Sequence, residues 1–382
     1  MTTERECFPS IEDMLREKRP IKPVYCIYPD AYLANAREFV SSFPGRVLYA
    51  VKANDDPDVI GLINAGGVQH FDCASLAEVE SVMNGCDDAQ CYFMTPVRLR
   101  GAACEAQAKF GVRHFMVDHL SGIRPLADEI DMGASVVFVR MATSHASAMQ
   151  DLSIRFGAPP ADMPKILETV AETGAEPALA FNIGSTVTSP EAYRYAIGVA
   201  RDLLSKLKMK IRLVDIGGGF PRSYPGFAVP PLCEYFDVIR KDIATLPLAD
   251  KGEVMVEPGR ALAAPGMSAV AEVLLRKEDR LYLNDGMYGV FWELRFKEHD
   301  QYPMRVFRDG EILAGKIRSY RLIGPTCDST DILPGAVELP VDIRPGDYIE
   351  FCEIGAYSLA GRTDFNGLRS DNVVMITSAN PA

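Results

Sequence analysis

The chain has 382 residues, 48% of them apolar and 24% charged, the composition of an ordinary soluble protein and a length too great for one small core, so two domains are expected. A formal net charge of −12 speaks against a nucleic-acid partner, because phosphate backbones select basic surfaces. Nine cysteines without a Cys-x-x-Cys pair and five scattered histidines point to free thiols in a reducing cytoplasm and to no metal site.

The opening Met1-Thr-Thr-Glu-Arg-Glu is charged and lacks the apolar core of a secretory signal. No apolar run approaches the ~20 residues that span a bilayer. A cytoplasmic protein without a membrane partner is therefore expected. Residues 1–25 fall outside the pattern that follows and are expected to pack on the C-terminal domain.

From residue 26 to 262, short β-type runs alternate with amphipathic helical stretches. The strands are expected at Val47–Ala53, Gln69–Asp72, Cys91–Thr95, His114–Val117, Ser135–Met141, Ala178–Gly184, Ile211–Ile216 and Glu253–Glu257. Helical patterns fill the gaps: Pro57–Ala65, Leu76–Asn84, Leu99–Phe110, Ser121–Ile130, Met163–Thr173, Pro190–Lys206 and Leu232–Leu246. Strands and helices in this alternation predict a (β/α)8 barrel. Lys52, Asp72, Arg140, Asn182, Gly217 and Glu257 stand at or just beyond strand C-terminal ends, the face where barrels carry their sites. From 263 to 382 the helical period disappears. Val270–Leu275, Arg280–Leu283, Met304–Phe307, Ile317–Leu322, Tyr348–Cys352 and Val373–Thr377 read as strands of a mostly β domain.

Three of these features belong together chemically. Lys52 ends an apolar run, so its amine stands at the mouth of a pocket. The turn Asp215-Ile-Gly-Gly-Gly-Phe-Pro221 lets backbone N–H groups approach a phosphate closely. Glu257-Pro-Gly-Arg260 offers a carboxylate for a ring nitrogen and a guanidinium for a phosphate edge. Together they suggest pyridoxal 5′-phosphate held covalently on Lys52.

With these in place, the chain resembles the fold-type III pyridoxal-phosphate decarboxylases, which include ornithine, lysine, arginine and diaminopimelate decarboxylases. The ornithine branch is most similar, on Phe71-Asp-Cys-Ala-Ser75, the two motifs above, Asn284-Asp-Gly-Met-Tyr-Gly289, Gly324-Pro-Thr-Cys-Asp-Ser-Thr-Asp331, Gly355-Ala-Tyr357 and Phe365-Asn-Gly367. The resemblance implies that Lys52 is the cofactor lysine and that Glu257 keeps the ring nitrogen protonated. Gly217, Gly218, Gly219, Gly259 and Arg260 would cradle the phosphate, completed by Ser185 and Tyr357. Asp72, Glu78, Arg140 and Asn182 match positions around the cofactor. Cys327 would be the proton donor to Cα. Asp328, with a second acid such as Asp331, would hold the distal ammonium of the substrate. The family works as a homodimer with shared active sites, and its ornithine branch belongs to polyamine biosynthesis.

Two departures leave the substrate open. The family has histidine where Phe181-Asn-Ile-Gly-Ser185 carries Asn182. Where the family has an aspartate that binds the distal amine, Trp292–His299 offers either Glu298, which preserves amine recognition, or Lys297, which with Arg295 favours a carboxylate-bearing side chain. A basic amino acid is the expected substrate. A modified diamino acid with an acidic or acylated side chain, as in siderophore-type pathways, and a non-catalytic regulatory homologue are the alternatives.

Overall fold

The computed structural model describes residues 5–296 and 301–378. They form two compact units: one of Ala36–Arg222 with Val229–Ala261, the other of the chain up to Asn35, Ser223–Ala228 and the chain from Leu262 onward.

The first unit is a closed parallel barrel. Its strands are Arg46–Ala50, His70–Cys73, Gln90–Phe93, His114–Val117, Val136–Ala142, Glu176–Asn182, Leu213–Asp215 and Glu253–Val256. Each pairs with its neighbour in sequence, and Glu253–Val256 closes the ring on Arg46–Ala50. The expected barrel is thus the fold. Its strands are covered on both faces, which explains why they read as apolar runs and not as alternating ones. Leu48, Met116, Phe138, Ala180, Leu213 and Met255 belong to the buried interior.

The helices begin where local chemistry satisfies their first N–H groups. Asp56 caps Pro57–Ala65, with proline at the first turn. Ser75 caps Leu76–Gly85, while the Glu78 carboxylate reaches back to the Ala74 N–H at 2.6 Å. The helix expected over Ser121–Ile130 shortens to Ile123–Ala127 behind a 3-10 turn. Pro125 has no N–H to give, so a helix containing it must start close by.

The expected barrel start at residue 26 is corrected to Ala36. Val24–Ile27, buried at every position, is a strand of the other unit. It lies between Met267–Lys277 and Val373–Ile376 in a ten-stranded sheet. Four apolar residues in a row carry no mark of which sheet they join. The same sheet includes Arg280–Leu283, Met304–Arg308, Ile317–Ile323 and Tyr348–Phe351, all near their expected places, and Val337–Pro340, which was not expected. Among the described residues no helix is long and apolar enough to cross a membrane.

The N-terminal end of the barrel is closed by polar groups. Arg46 ion-pairs with Glu253 and donates to the Tyr92 hydroxyl. Tyr92 contacts His70 Nδ1 at 3.4 Å and stacks on the His114 ring at 3.9 Å. Burial, helped by the nearby Arg46 charge, pushes His70 down to about 4 and His114 to about 3. Both folded values lie below the unfolded one. As pH falls from about 6.5 towards 4 the unfolded chain therefore binds protons that the folded barrel refuses, and stability is lost. The double variant His70→Gln/His114→Gln is expected to flatten that loss, by on the order of 2–4 kcal/mol between pH 7 and 4.5. Denaturant unfolding of both proteins at the two pH values measures it. An identical pH slope in both would remove the histidines as the cause.

Candidate active site

Because the strands are parallel, their C-terminal ends share one rim. Lys52 sits there in the single 3-10 turn Val51–Ala53, which follows directly on the first barrel strand. Backbone bonds from Asn54 to Val51 and from Ala50 to Pro258 fix this turn. The Lys52 ammonium lies 3.1 Å from Asp72 Oδ2, with 47% of the lysine side chain exposed and 2% of the aspartate. A half-exposed amine anchored to a buried carboxylate is well placed to meet a ligand.

Below Lys52 the site is rich in carboxyls. Asp72, Asp215 and Glu257 are all buried. Burial raises Glu257 well above the usual carboxylate range, and the neighbouring Asp215 and Asp72 add to this. Burial likewise raises Asp215, to about 7. Asp215 Oδ1 accepts the Gly217 N–H at 2.8 Å. By contrast, Glu257 Oε1 and Asp215 Oδ2 are buried without any donor. Unsatisfied buried carboxylate oxygens are costly, and here they face an excess of negative charge. A cationic N–H brought to this point would satisfy both needs. The protonated ring nitrogen of pyridoxal phosphate is such a group, so these residues fit the cofactor.

The glycine turn has its own reason. Gly217 has φ +72°, and a Cβ there would lie 2.5 Å from the Phe181 carbonyl. At Gly218 it would lie 2.4 Å from the Glu257 carbonyl. Three strand ends therefore meet backbone to backbone, which only glycine permits. Tyr193 locks the turn by donating to the Gly218 carbonyl at 2.8 Å. Gly259 and Arg260 follow Glu257 and are buried. Ser185 opens the strand Ser185–Val187, which pairs antiparallel with Ala148–Gln150 in a small two-stranded sheet that gave no sign in the sequence.

Asn182 ends its strand at this rim. Its Oδ1 accepts the Gly184 N–H at 3.0 Å, and its carbonyl accepts from Thr143 Oγ1 at 3.1 Å. Elsewhere in the chain His119 and His145 hold the same turn through Nδ1, each at 3.2 Å. A histidine at 182 would thus keep the turn. What asparagine gives up is ring area. Arg140 lies with its guanidinium 5.7 Å from the Phe156 ring, shared with Arg155 at 4.9 Å. Asp215 is the residue that sequence reasoning passed over. Its signal was its place directly ahead of the glycine turn, at the end of an apolar run.

The remaining expected residues belong to the β unit. Cys327 is exposed, and its backbone N–H donates to Asn366 Oδ1 at 3.2 Å. Asp328 is half-buried, and its Oδ1 accepts from the Thr330 N–H and hydroxyl at 2.7 and 2.6 Å. These bonds hold its carboxyl below the usual range, with smaller help from the Tyr288 hydroxyl and Arg295. Tyr357 adopts φ +52°, unusual for a side chain of that size. Asp331 is a correction. It is buried, and its oxygens accept from Met287 N–H at 2.7 Å, Thr326 N–H at 3.0 Å and Thr326 Oγ1 at 2.7 Å. It ties two loops together, and its carboxylate is buried among these donors and away from solvent. Lys297 and Glu298 lie outside the described residues.

A parallel barrel with a lysine, a glycine turn and a cation-seeking glutamate at one mouth, in a chain that also carries a β-sheet unit, defines a fold-type III pyridoxal-phosphate protein. The chain belongs to the pyridoxal-dependent decarboxylase family: the model of its pyridoxal binding domain matches residues 31–264, and that of its C-terminal sheet domain matches 266–355. It is similar to the lysine/ornithine decarboxylase of Selenomonas ruminantium, 33% identical over 84% of this chain and 81% of that protein. Antizyme inhibitor 2 of Xenopus laevis is 28% identical over 88% of this chain and 76% of that protein. Among solved structures, a mutant SrLDC in complex with PLP has a TM-score of 0.86 at 29% identity, covering 96% of this chain and 94% of that one. The protein is thus a pyridoxal-dependent decarboxylase.

Proposed function

We propose that the chain removes the α-carboxylate of an L-amino acid of the ornithine or lysine type, giving the corresponding diamine, as a cytoplasmic homodimer with shared active sites. The observation that carries the substrate class is Asp328. It is a half-buried carboxylate kept ionised by Thr330, next in sequence to the thiol of Cys327. A fixed anion beside a proton donor suits a substrate with a nitrogen at its far end.

In this reading Lys52 holds the cofactor covalently. The glycine turn, Ser185, Arg260 and Tyr357 bind its phosphate, and Glu257 keeps its ring nitrogen protonated. When bound, the cofactor supplies an electron sink for the pair left at Cα as CO2 departs. The chain's residues do the rest. The Glu257 carboxylate sits where burial favours sharing a proton over standing as a bare anion, so it holds a cationic N–H strongly. Before the cofactor binds, Asp72 holds the Lys52 ammonium in place. The Cys327 thiol gives its proton to Cα, and Asp328 orients the distal end.

Product analysis tests this. CO2 and amine release are measured over ornithine, lysine, arginine, diaminopimelate and their distally acylated forms. Release from an α-amino acid with a distal nitrogen, at least tenfold faster than from leucine or glutamate, is expected. Racemisation without CO2 release from every substrate would overturn the reading.

A further inference from the structure

A single ring N–H leaves one of the bare carboxylate oxygens at the barrel mouth without a donor. Asp215 Oδ2 and Glu257 Oε1 are both buried and both lack one. An N–H points in one direction and serves the oxygen it meets. If Glu257 takes it, Asp215 Oδ2 stays bare, and a bare buried carboxylate oxygen is costly.

The strands bring these two carboxyls together. Asp215 pairs with Met255 across the barrel sheet, and Met255 belongs to the barrel interior. Glu257 lies two residues beyond Met255 and so returns to the same face. Its N–H continues the ladder, donating to the Gly217 carbonyl at 3.0 Å. Gly217 in turn donates its own N–H to Asp215 Oδ1 at 2.8 Å. The two carboxyls come within hydrogen-bonding reach of each other, and a proton on one of them closes the ring Asp215, Gly217, Glu257. Two ionised carboxylates would have nothing to donate.

The surroundings favour that proton. Asp72 adds a third buried carboxyl, while Arg140 opposes it at Asp215 and Lys52 opposes it at Glu257. Tyr92, whose hydroxyl feels the Asp215 charge, is itself held neutral by burial. Adjacent carboxyls out of water carry one negative charge at far lower cost than two. Burial raises both, Glu257 further than Asp215. Between themselves the proton therefore rests on Glu257 and is donated to Asp215.

We propose that Asp215 and Glu257 share one proton, which passes to Asp215 Oδ2 when Glu257 takes up the ring N–H of the cofactor. The O–H bond of Glu257 breaks, that of Asp215 forms, and the pair keeps a single negative charge. Asp215 then donates to the Glu257 carboxylate. This bond stabilises Glu257 as the anion, so the ring proton stays on the nitrogen and is not lost to a strongly basic carboxylate. Asp215 is a positioning residue, acting on the cofactor through Glu257. The proposal rests on the reading that Glu257 meets the ring nitrogen.

Infrared spectroscopy of the holoenzyme at neutral pH reads the proton directly. A protonated carboxyl has a C=O stretch apart from that of carboxylates, and the stretch shifts in heavy water. The difference between wild type and Asp215→Asn is expected to show one such band, moved by isotope labelling of the aspartate carboxyls and not by labelling of the glutamates. Cofactor affinity is the second readout. Asp215→Asn keeps an oxygen for Gly217 and an amide N–H for Glu257, and is expected to bind the cofactor within about threefold of wild type. Asp215→Leu keeps neither and is expected to bind it about 10- to 100-fold more weakly. Absence of the aspartate band would overturn the inference, and so would a folded Asp215→Leu protein that binds the cofactor as well as Asp215→Asn does. Should Asp215→Leu fail to fold, the infrared comparison still decides, since it needs only the asparagine variant. The underlying reading fails in a different way: a Glu257→Gln protein with unchanged cofactor affinity and visible band would take Glu257 away from the ring nitrogen, and the move of the proton with it.

Discussion

Replacing Lys52 is expected to abolish the visible absorption of the holoprotein and to lower turnover by several orders of magnitude. Lys52 is the amine at the barrel mouth, held 3.1 Å from Asp72 on a turn with its own backbone bonds. Two variants separate its roles. Lys52→Ala removes the covalent link and also leaves the buried Asp72 carboxylate without its ammonium, which costs stability. Lys52→Arg keeps a cation for Asp72 but has no amine that joins to an aldehyde. Both are expected to lose the visible band and resist labelling by borohydride, while Lys52→Arg keeps a melting temperature near that of the cofactor-free wild type. A Lys52→Arg protein that retains the band and most of its activity would remove Lys52 from the chemistry.

The barrel was legible because a parallel strand buried on both faces must be an apolar run, and the runs are spaced by helices with clear starts such as Asp56-Pro57 and Ser75. The rim residues were legible for the same reason: polar side chains such as Lys52 and Glu257 interrupt those runs at their ends. What stayed hidden depends on pairing across long sequence distances. Val24–Ile27 joins partners near residues 270 and 374, and nothing in four apolar residues states that. The two-stranded sheet of Ala148–Gln150 with Ser185–Val187 is hidden in the same way. Asp331 shows the limit of motif reasoning. An aspartate in a site-like loop reads as a ligand, yet its oxygens are taken by Met287 and Thr326. The same residue type serves a buried hydrogen-bonding role and a binding role, and what sets Asp331 apart from the half-buried Asp328 is its burial among these donors.

Mixing two inactive variants is expected to restore about a quarter of the wild-type sites. Lys52 belongs to the barrel unit, whereas Cys327 and Asp328 belong to the β unit. In a homodimer that builds each site from the barrel of one subunit and the β unit of its partner, a Lys52→Ala homodimer has no working site, and a Cys327→Ala homodimer has none either. Random exchange makes half of the dimers mixed. In a mixed dimer one site draws a wild-type barrel from the Cys327→Ala subunit and a wild-type thiol from the Lys52→Ala subunit, while the other site carries both lesions. One site in two, in half of the dimers, gives about a quarter. The pairing of lesions makes the outcome specific: a Lys52→Ala/Cys327→Ala double variant mixed with wild type is expected to keep no intact site in its mixed dimers, since each site there has one lesion. Exchange is followed independently by mass spectrometry of differently tagged subunits. Exchange to a half-mixed population with no return of CO2 release would show that each site is built within one chain.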